Sequence, residues 1–517
     1  MTKQKKRTFA AIHLGSETMG MQLVGFTDMT DIRIIDELNR RVAFGEETFK
    51  FGRLSFQTVR DICELLRGYR RLLSEYEITD YRLLATTAIR EASNQQYIID
   101  RIQVRTGFQV EVIDMPQEIY FKYAAIQRTL QEMKIITRRE GLLLVDISSG
   151  GLGITLWENG SIRYQQNIHL GLIRVREGFE PQERASSRFP QALTEYIHST
   201  ISPVRSALVY GAPRFLVITG SETGLVLQML GRAPEEGRFE RISLPEFAAL
   251  FEDVRLLKVP QLVKIFSMDE TMAEMVLPTL TLYQELLSLS NVEEILVPPD
   301  RFLDGVVYLH VAEETNDPWL NSLEDEVVGL ARSVAVKYNY DAAHARQTEV
   351  FALALFDKLK RLAGLQDRDR LLLRILCVLH DIGKFVSLRR HYFYSYRLIV
   401  SSDILGLSEE EKEVVAIAAY SHAKGIPEHA DDVPYNRLDM RRKALVAKLA
   451  AILAIADAMD RSYRQKIDRC VITHRGDELL VSVSSRQDIS LEAWTFAGKA
   501  EFFADVFGLH PILERKV

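Results

Sequence analysis

Four side chains in the second half of the chain have the type and order of a divalent-metal site: His344, the adjacent pair His380–Asp381, and Asp457. Imidazole nitrogen with carboxylate oxygen suits a first-row divalent ion, and Mg where oxygen ligands dominate. Each lies on an apolar stripe. His344 shares a helix face with Thr348, Phe351 and Leu355, His380 closes the run LLLRILCVL, and Asp457 follows Leu449 and Leu453 at helical spacing. A carboxylate on such a stripe needs a cation beside it. His391 and His422 are placed to complete a second metal position, His422 following a helix opened by a capping box from Ser408 to Glu411. Lys384, one turn after His380, is placed to meet a phosphate. A metal held here would clamp phosphate oxygens and generate hydroxide, the usual route to phosphoester hydrolysis.

The first half carries a different chemistry. Leu142–Gly160, LLLVDISSGGLGITLWENG, runs an apolar strand into an acid and then a Ser/Gly-rich turn. Such a strand–turn–strand hairpin lets Ser148, Ser149, Gly150 and Gly151 offer backbone N–H groups to a phosphate. Ala10–Leu23 repeats the layout at one constant offset: His13 falls on Asp146, Gly15 on Ser148, Ser16 on Ser149, Gly20 on Gly153 and Leu23 on Leu156. Two copies of one hairpin predict two related lobes facing a shared cleft. Between them, Tyr81–Asn94 (YRLLATTAIREASN) passes from a short strand through Thr86 and Thr87 into a helix start, with Arg90 just inside. That is either a further phosphate contact or a plain N-capped helix. Pro116 starts a helix carrying Gln117 and Glu118, where a first-turn acid ordinarily satisfies the helix dipole.

The elements that must position these groups read as follows. Residues 8–26 are strand, turn and strand, followed by an apolar run at Ile32–Leu38 and a helix over Phe56–Tyr76. Phe108–Ile113 is a strand. The second hairpin continues through an Asn159–Gly160 turn into a strand at Ser161–Ile168, and Phe215–Gly220 and Glu293–Val297 are further strands. Arg232–Asn291 shows only mixed helix and loop. The cluster Glu313–Pro318 breaks the pattern, beyond which the chain is helical to about Ser462, and Cys470–Val517 returns to strand alternation and a helix around Ala497–Phe507.

At 517 residues the chain exceeds one core, and roughly three to four domains are expected. Nearly half the residues are apolar and about a quarter charged, the composition of a globular protein. A net charge of −6 argues against non-specific nucleic-acid binding. Three cysteines without CxxC spacing argue against a disulfide framework and fit a reducing cytosol, so a cytoplasmic protein is expected. No run reaches the ~18 apolar residues of a membrane span.

With both site types in view, the chain resembles the exopolyphosphatase and guanosine pentaphosphate phosphatase (Ppx/GppA) family along nearly its whole length. The matching stretches are AAIHLGS, LLATTAIREASN, VDISSGG, HLGLIRVREGF and LVITGSETG, then KYNYDAAHARQTEVFALALFD, LHDIGKFVSLRRHYFYSYRLI, SSDILGLS and IADAMDRSY. The resemblance implies duplicated actin-like or sugar-kinase-like (ribonuclease H-like) α/β lobes at 1–128 and 129–314. It further implies an all-α HD-type domain at 315–468 and a small α+β domain at 469–517. It also implies a homodimer, Mg or Mn as cofactor, and inorganic polyphosphate or guanosine penta- or tetraphosphate as ligand. Family members carry an acid where His13 stands, a Glu-Glu pair where Gln117–Glu118 stand, and a second loop like DIGGGSTE, so that the family's terminal Glu becomes Gly153. In the family these acids hold the cation and activate the attacking water, which leaves Glu118 as the general base and Asp146 as the cation partner. His13 cannot replace Asp around Mg, which takes oxygen ligands. In the family's HHKHS-like stretch His391 is kept, while Tyr392 and Tyr394 replace histidines.

Three readings follow. In the first, terminal phosphate is released in the amino-terminal cleft, with Glu118 as base, Asp146 holding the metal, and Gly15, Ser16, Thr86, Thr87, Arg90 and Ser148–Gly151 gripping phosphate. In the second, hydrolysis moves to the HD-type metal site and the amino half senses polyphosphate or guanosine tetraphosphate. In the third, neither centre turns over and the protein is a phosphate-ligand-binding regulator. Fold and family place the first reading ahead.

Overall fold

The computed structural model describes residues 6–134, 140–148, 151–208, 213–220, 222–233, 237–299, 301–426 and 433–516. The chain divides into two compact units, Met1–Glu326 and Val327–Val517.

The first unit is a duplicated α/β fold of actin-like type. Strands β1 (Arg7–Leu14), β2 (Thr18–Phe26), β3 (Ile32–Arg41), β4 (Tyr81–Ala85) and β5 (Val110–Val112) form one sheet in the order β3-β2-β1-β4-β5. A second sheet is built from β6 (Gly141–Ile147), β7 (Leu152–Glu158), β8 (Ser161–Ile168), β9 (Pro213–Thr219), β10 (Glu240–Ser243) and β11 (Glu294–Val297), in the order β10-β11-β9-β6-β7-β8. The path β8-β7-β6-β9-β11 repeats the first sheet, with two antiparallel steps and then two parallel ones. The repeat holds at the level of register: His13 faces Gly20, and Asp146 faces Gly153. Every residue of β6 is buried, as expected of an interior strand covered on both faces.

Two departures from expectation have local causes. β5 covers only Val110–Val112 of the expected Phe108–Ile113, because Phe108 instead fills the core beneath Tyr81. β10 lies in the stretch that showed no strand pattern. It is a four-residue edge strand paired only to β11, too short for alternation to show.

Helix Met115–Glu132 is started by Asp114, whose side chain accepts from Gln117 N at 3.0 Å while Gln117 reaches back to Asp114 N. Helix Phe302–Thr315, which follows β11, returns to pack on it and on β1 and β2. The contact needs Gly305, since a Cβ there would lie 1.9 Å from Phe121 O. This helix ends at Asn316 in a left-handed conformation (φ 50°), and Pro318 opens the next, Pro318–Val336. The expected break at Glu313–Pro318 is thus a turn between helices, and the unit division falls further on, inside the second of them.

The second unit is helical apart from one small sheet. Helices Ala342–Ala363, Asp367–Leu379, His391–Val400, Glu409–Lys424 and Met440–Ala458 form the bundle. Strands β12 (Arg469–Arg475), β13 (Glu478–Ser484) and β14 (His510–Lys516) form the sheet, with helix Ser490–Phe507 packed on helix Met440–Ala458. No helix among the described residues is long and apolar enough to cross a membrane.

Candidate functional site

Each unit carries its own site. In the first, the two hairpin turns face a cleft lined by Gly15, Ser16, Thr86, Thr87, Glu118 and Ser148, together with His13 and Lys122. Gly15 is demanded by the tight turn: a Cβ there would meet His13 Cε1 at 2.7 Å and Thr18 O at 2.8 Å. Ser148 Oγ and the Gly151 backbone close the second turn on each other at 3.1 Å, while Ser149 and Gly150 lie outside the described residues. Arg90 is held from behind, donating to Ile113 O at 2.8 Å and Thr87 Oγ1 at 3.0 Å.

Glu118 is buried rather than a surface acid, with Oε2 3.7 Å from Arg90 Nη1 and without a hydrogen-bond partner. Its Oε1 lies 3.6 Å from Lys122 Nζ. Lys122 in turn donates to both oxygens of Asp146, at 2.8 and 3.1 Å. Asp146 therefore has a cationic partner, and it is an ammonium group. Burial pushes the Asp146 carboxyl up to about 6 against the pull of Lys122. Burial alone would lower the Lys122 ammonium, but Asp146 and Glu118 outweigh it and hold it above its ordinary value. His13, bonded through Nε2 to Thr86 Oγ1 at 3.2 Å, is lowered by burial to about 4 and is neutral at pH 7.

In the second unit, His344, His380, Asp381 and Asp457 converge so that one donor atom from each lies within 4.8 Å of the others, and Asp381, His391 and His422 do the same. Asp381 belongs to both groups. The elements explain the convergence. Asp341 caps helix Ala342–Ala363 by accepting from His344 N at 2.9 Å, which sets His344 in its first turn. His380 and Asp381 leave the end of helix Asp367–Leu379, and Asp457 lies at the end of helix Met440–Ala458. Gly383 admits helix His391–Val400 to the turn after Asp381, since a Cβ there would lie 2.1 Å from His391 O.

The far nitrogens fix each imidazole. His380 Nδ1 pairs with Cys377 O at 2.9 Å, His422 Nδ1 with Ala419 O at 2.6 Å and His391 Nδ1 with Leu388 O at 3.3 Å. Carbonyls only accept, so each Nδ1 carries the proton and each Nε2 presents a lone pair. His380 Nε2 is buried with no hydrogen-bond partner, 3.5 Å from Asp381 Oδ2 and 3.8 Å from Asp457 Oδ1. His344 Nε2 faces Asp457 Oδ1 at 3.1 Å and its Nδ1 faces Asp460 Oδ2 at 2.9 Å. Burial opposes a charge on His344, but hydrogen bonds to Asp457 and Asp460 raise it to about 9. Burial lowers His391, and lowers His422 to about 4, so both are neutral donors at pH 7. Lys384 donates to Asp381 Oδ2 at 2.5 Å and also contacts Tyr463 Oη, rather than standing free for a phosphate. A pocket lined by Asn339, Tyr340, Asp341 and Lys384 opens onto the cluster.

A model of the Ppx/GppA phosphatase family matches residues 24–311, and one of Ppx/GppA phosphatase, domain III, matches residues 330–494. The chain belongs to the Ppx/GppA phosphatase family. It is accordingly a hydrolase, in a family that is in general divalent-metal dependent. Among its Ppx/GppA relatives, the guanosine-5'-triphosphate,3'-diphosphate pyrophosphatase of Vibrio vulnificus (strain YJ016) is 19% identical over 479 residues, covering 92% of each chain. That of Aeromonas salmonicida (strain A449) is 20% identical over 424 residues, covering 80% of each. The Ppx/GppA family member from Aquifex aeolicus shares the fold with a TM-score of 0.51 at 19% identity, over 60% of this chain and 99% of that one. An exopolyphosphatase from Cytophaga hutchinsonii does so with a TM-score of 0.52 at 21% identity, over 59% and 98%.

Within this Ppx/GppA-family protein, three residues at the sites escape sequence reasoning. Lys122 stands one helical turn after Glu118 and reads as an ordinary surface pair. Asp460 follows Asp457 by three residues, a spacing that hints at a shared site, and orients His344. Tyr463, the last residue of the IADAMDRSY stretch, donates to Asp381 Oδ2 at 2.6 Å and stacks on the His344 ring at 3.8 Å, a role its spacing does not indicate.

Proposed function

We propose that the protein is a metal-dependent phosphohydrolase whose hydrolytic centre is the histidine–aspartate cluster of an HD-type helical domain. Inorganic polyphosphate or guanosine penta- and tetraphosphate is the ligand class. The observation that carries this reading is His380 Nε2: a buried lone pair without a partner, among three further donor atoms. The mixed nitrogen and oxygen donors fit a first-row divalent ion such as Mn better than Mg, and Asp381 is shared between two such positions. When bound, the metal supplies Lewis acidity toward a phosphoryl oxygen and activates water. The protein's own part is to hold four imidazoles by their far nitrogens, to fix His344 through Asp460, and to place the Lys384 ammonium and Tyr463 hydroxyl on the pocket wall beside Asp381. The amino-terminal cleft is then a separate site that binds the phosphate ligand as a sensor.

Phosphate release from long-chain polyphosphate and guanosine pentaphosphate tests the proposal. Dialysis against a chelator should abolish release and Mn should restore it more fully than Mg; release that survives chelation would refute it. A second reading keeps hydrolysis in the amino-terminal cleft with Glu118 as general base, favoured by its buried Oε2 without a hydrogen-bond partner.

A further inference from the structure

The divalent cation that the family implies for the amino-terminal cleft does not fit the residues present there. Both oxygens of Asp146 are taken by one ammonium group, and a dication placed against them would meet Lys122 Nζ at close range. The equivalent position in the first hairpin is a half-buried imidazole hydrogen-bonded to Thr86. Nor does the second hairpin leave room for another acid: a Cβ at Gly153 would lie 2.4 Å from Ile119 Cδ1, because that side chain fills the space.

We infer that Lys122 is the resident cation of this cleft, and that the cleft binds a terminal phosphate of a polyphosphate chain without any divalent metal. The inference rests on reading the cleft as a phosphate site. Lys122 lines the cleft, with its side chain only 14% exposed and its position fixed by Asp146. An ammonium group has three donors. Asp146 occupies the two directed at its oxygens, and Glu118 pairs with it at 3.6 Å, beyond hydrogen-bond distance, so the third has no hydrogen-bond partner among the described residues. Ser16 Oγ, buried in the lining of the same cleft and without a hydrogen-bond partner among the described residues, supplies a donor to a second phosphate oxygen. Asp146 has a different office here from that of a metal ligand: it holds the lysine in place.

The test is calorimetric titration of inorganic tripolyphosphate into the full-length protein carrying Asp381→Ala, which removes the ligand common to both metal positions of the helical unit. Binding should persist in EDTA, and Mg, which itself complexes the triphosphate, should not strengthen it, since no metal bridges the phosphate to the protein. The double variant Lys122→Gln/Asp146→Asn exchanges the ion pair for a neutral one and avoids a buried lone charge. It should bind about tenfold or more weakly, the worth of one charge-assisted hydrogen bond. Asp146→Asn alone frees Lys122 and should tighten binding. Thermal unfolding of each variant establishes that it is folded. Binding in Mg that vanishes in EDTA would overturn the inference by restoring the metal, as would a double variant that binds like its parent. Absence of binding under both conditions would overturn the phosphate-site reading itself.

Discussion

The far nitrogens of the histidines decide whether the helical cluster is ready for a metal. His344 is oriented by a carboxylate, Asp460, that stands outside the donor set. Outer partners of this kind typically set metal affinity by ~10- to 100-fold. Asp460→Asn should therefore weaken Mn binding by about that factor, measured by competition with a chelating dye. In the cleft, two buried groups titrate in opposite senses. His13 has its pKa lowered from 6.5 to about 4, so between those values the unfolded chain binds a proton that the native chain refuses. Native stability through His13 is full above pH 6.5 and is lost as pH falls to about 4. Asp146 is raised from 3.8 to about 6, so the native chain takes its proton first and acidification through that window relieves a folding penalty. Glu118, Lys122, Arg90 and Glu222 are charged groups around this pair, and Glu17, Glu37 and Arg301 line the same cleft. His13→Gln should flatten the loss of stability between pH 7 and pH 4.5, and Asp146→Asn should steepen it, each by up to about 3 kcal/mol in urea unfolding. Unchanged slopes in both would mean that neither group titrates as its burial requires.

At the scale of elements, two glycines carry the geometry of the two sites. Gly383 lets helix His391–Val400 sit on the turn that bears Asp381, with Ser395 Oγ accepting from its N–H at 2.9 Å. Gly383→Ala would drive a methyl group against His391 O and Ser395 N, both backbone atoms at less than 2.5 Å. It should cost about 1–3 kcal/mol and lower metal stoichiometry by displacing His391, read by metal analysis of the purified protein. Gly305→Ala would likewise part helix Phe302–Thr315 from helix Met115–Glu132, which bears Glu118 and Lys122, and should weaken tripolyphosphate binding while leaving metal content unchanged. Much at this scale was legible beforehand. The repeated hairpins were visible because β1 and β6 are apolar interior strands ending in small residues, and the convergence of His344, His380 and Asp457 because a charged side chain on an apolar helical stripe has no ordinary explanation. β10 was not visible, because four edge residues show no periodicity. Nor was the Lys122–Asp146 pair, because the two belong to a helix and a strand whose side chains meet only through the packing of the lobe.

At the scale of the whole molecule, the two compact units have, under the proposal, opposite charge preferences: the clustered donors of the helical unit would take a cation, and the Lys122 ammonium of the first unit an anion. Ligands should therefore protect different parts of the chain. In hydrogen exchange, Mn should slow the helices that carry His344, His380 and Asp457, while tripolyphosphate should slow the hairpins at His13 and Asp146. The small sheet β12–β14 belongs to the same compact unit as the helical bundle, joined to it by helix Ser490–Phe507 packed on helix Met440–Ala458. Family membership extends over both units, which makes phosphate hydrolysis the common term, and the location of that hydrolysis is the central claim. The most direct measurement is phosphate release from long-chain polyphosphate and guanosine pentaphosphate in Mn, for the wild type beside Asp381→Ala and Glu118→Gln. Release lost in Asp381→Ala and retained in Glu118→Gln is expected. Release lost in Glu118→Gln and retained in Asp381→Ala would return the hydrolytic centre to the amino-terminal cleft.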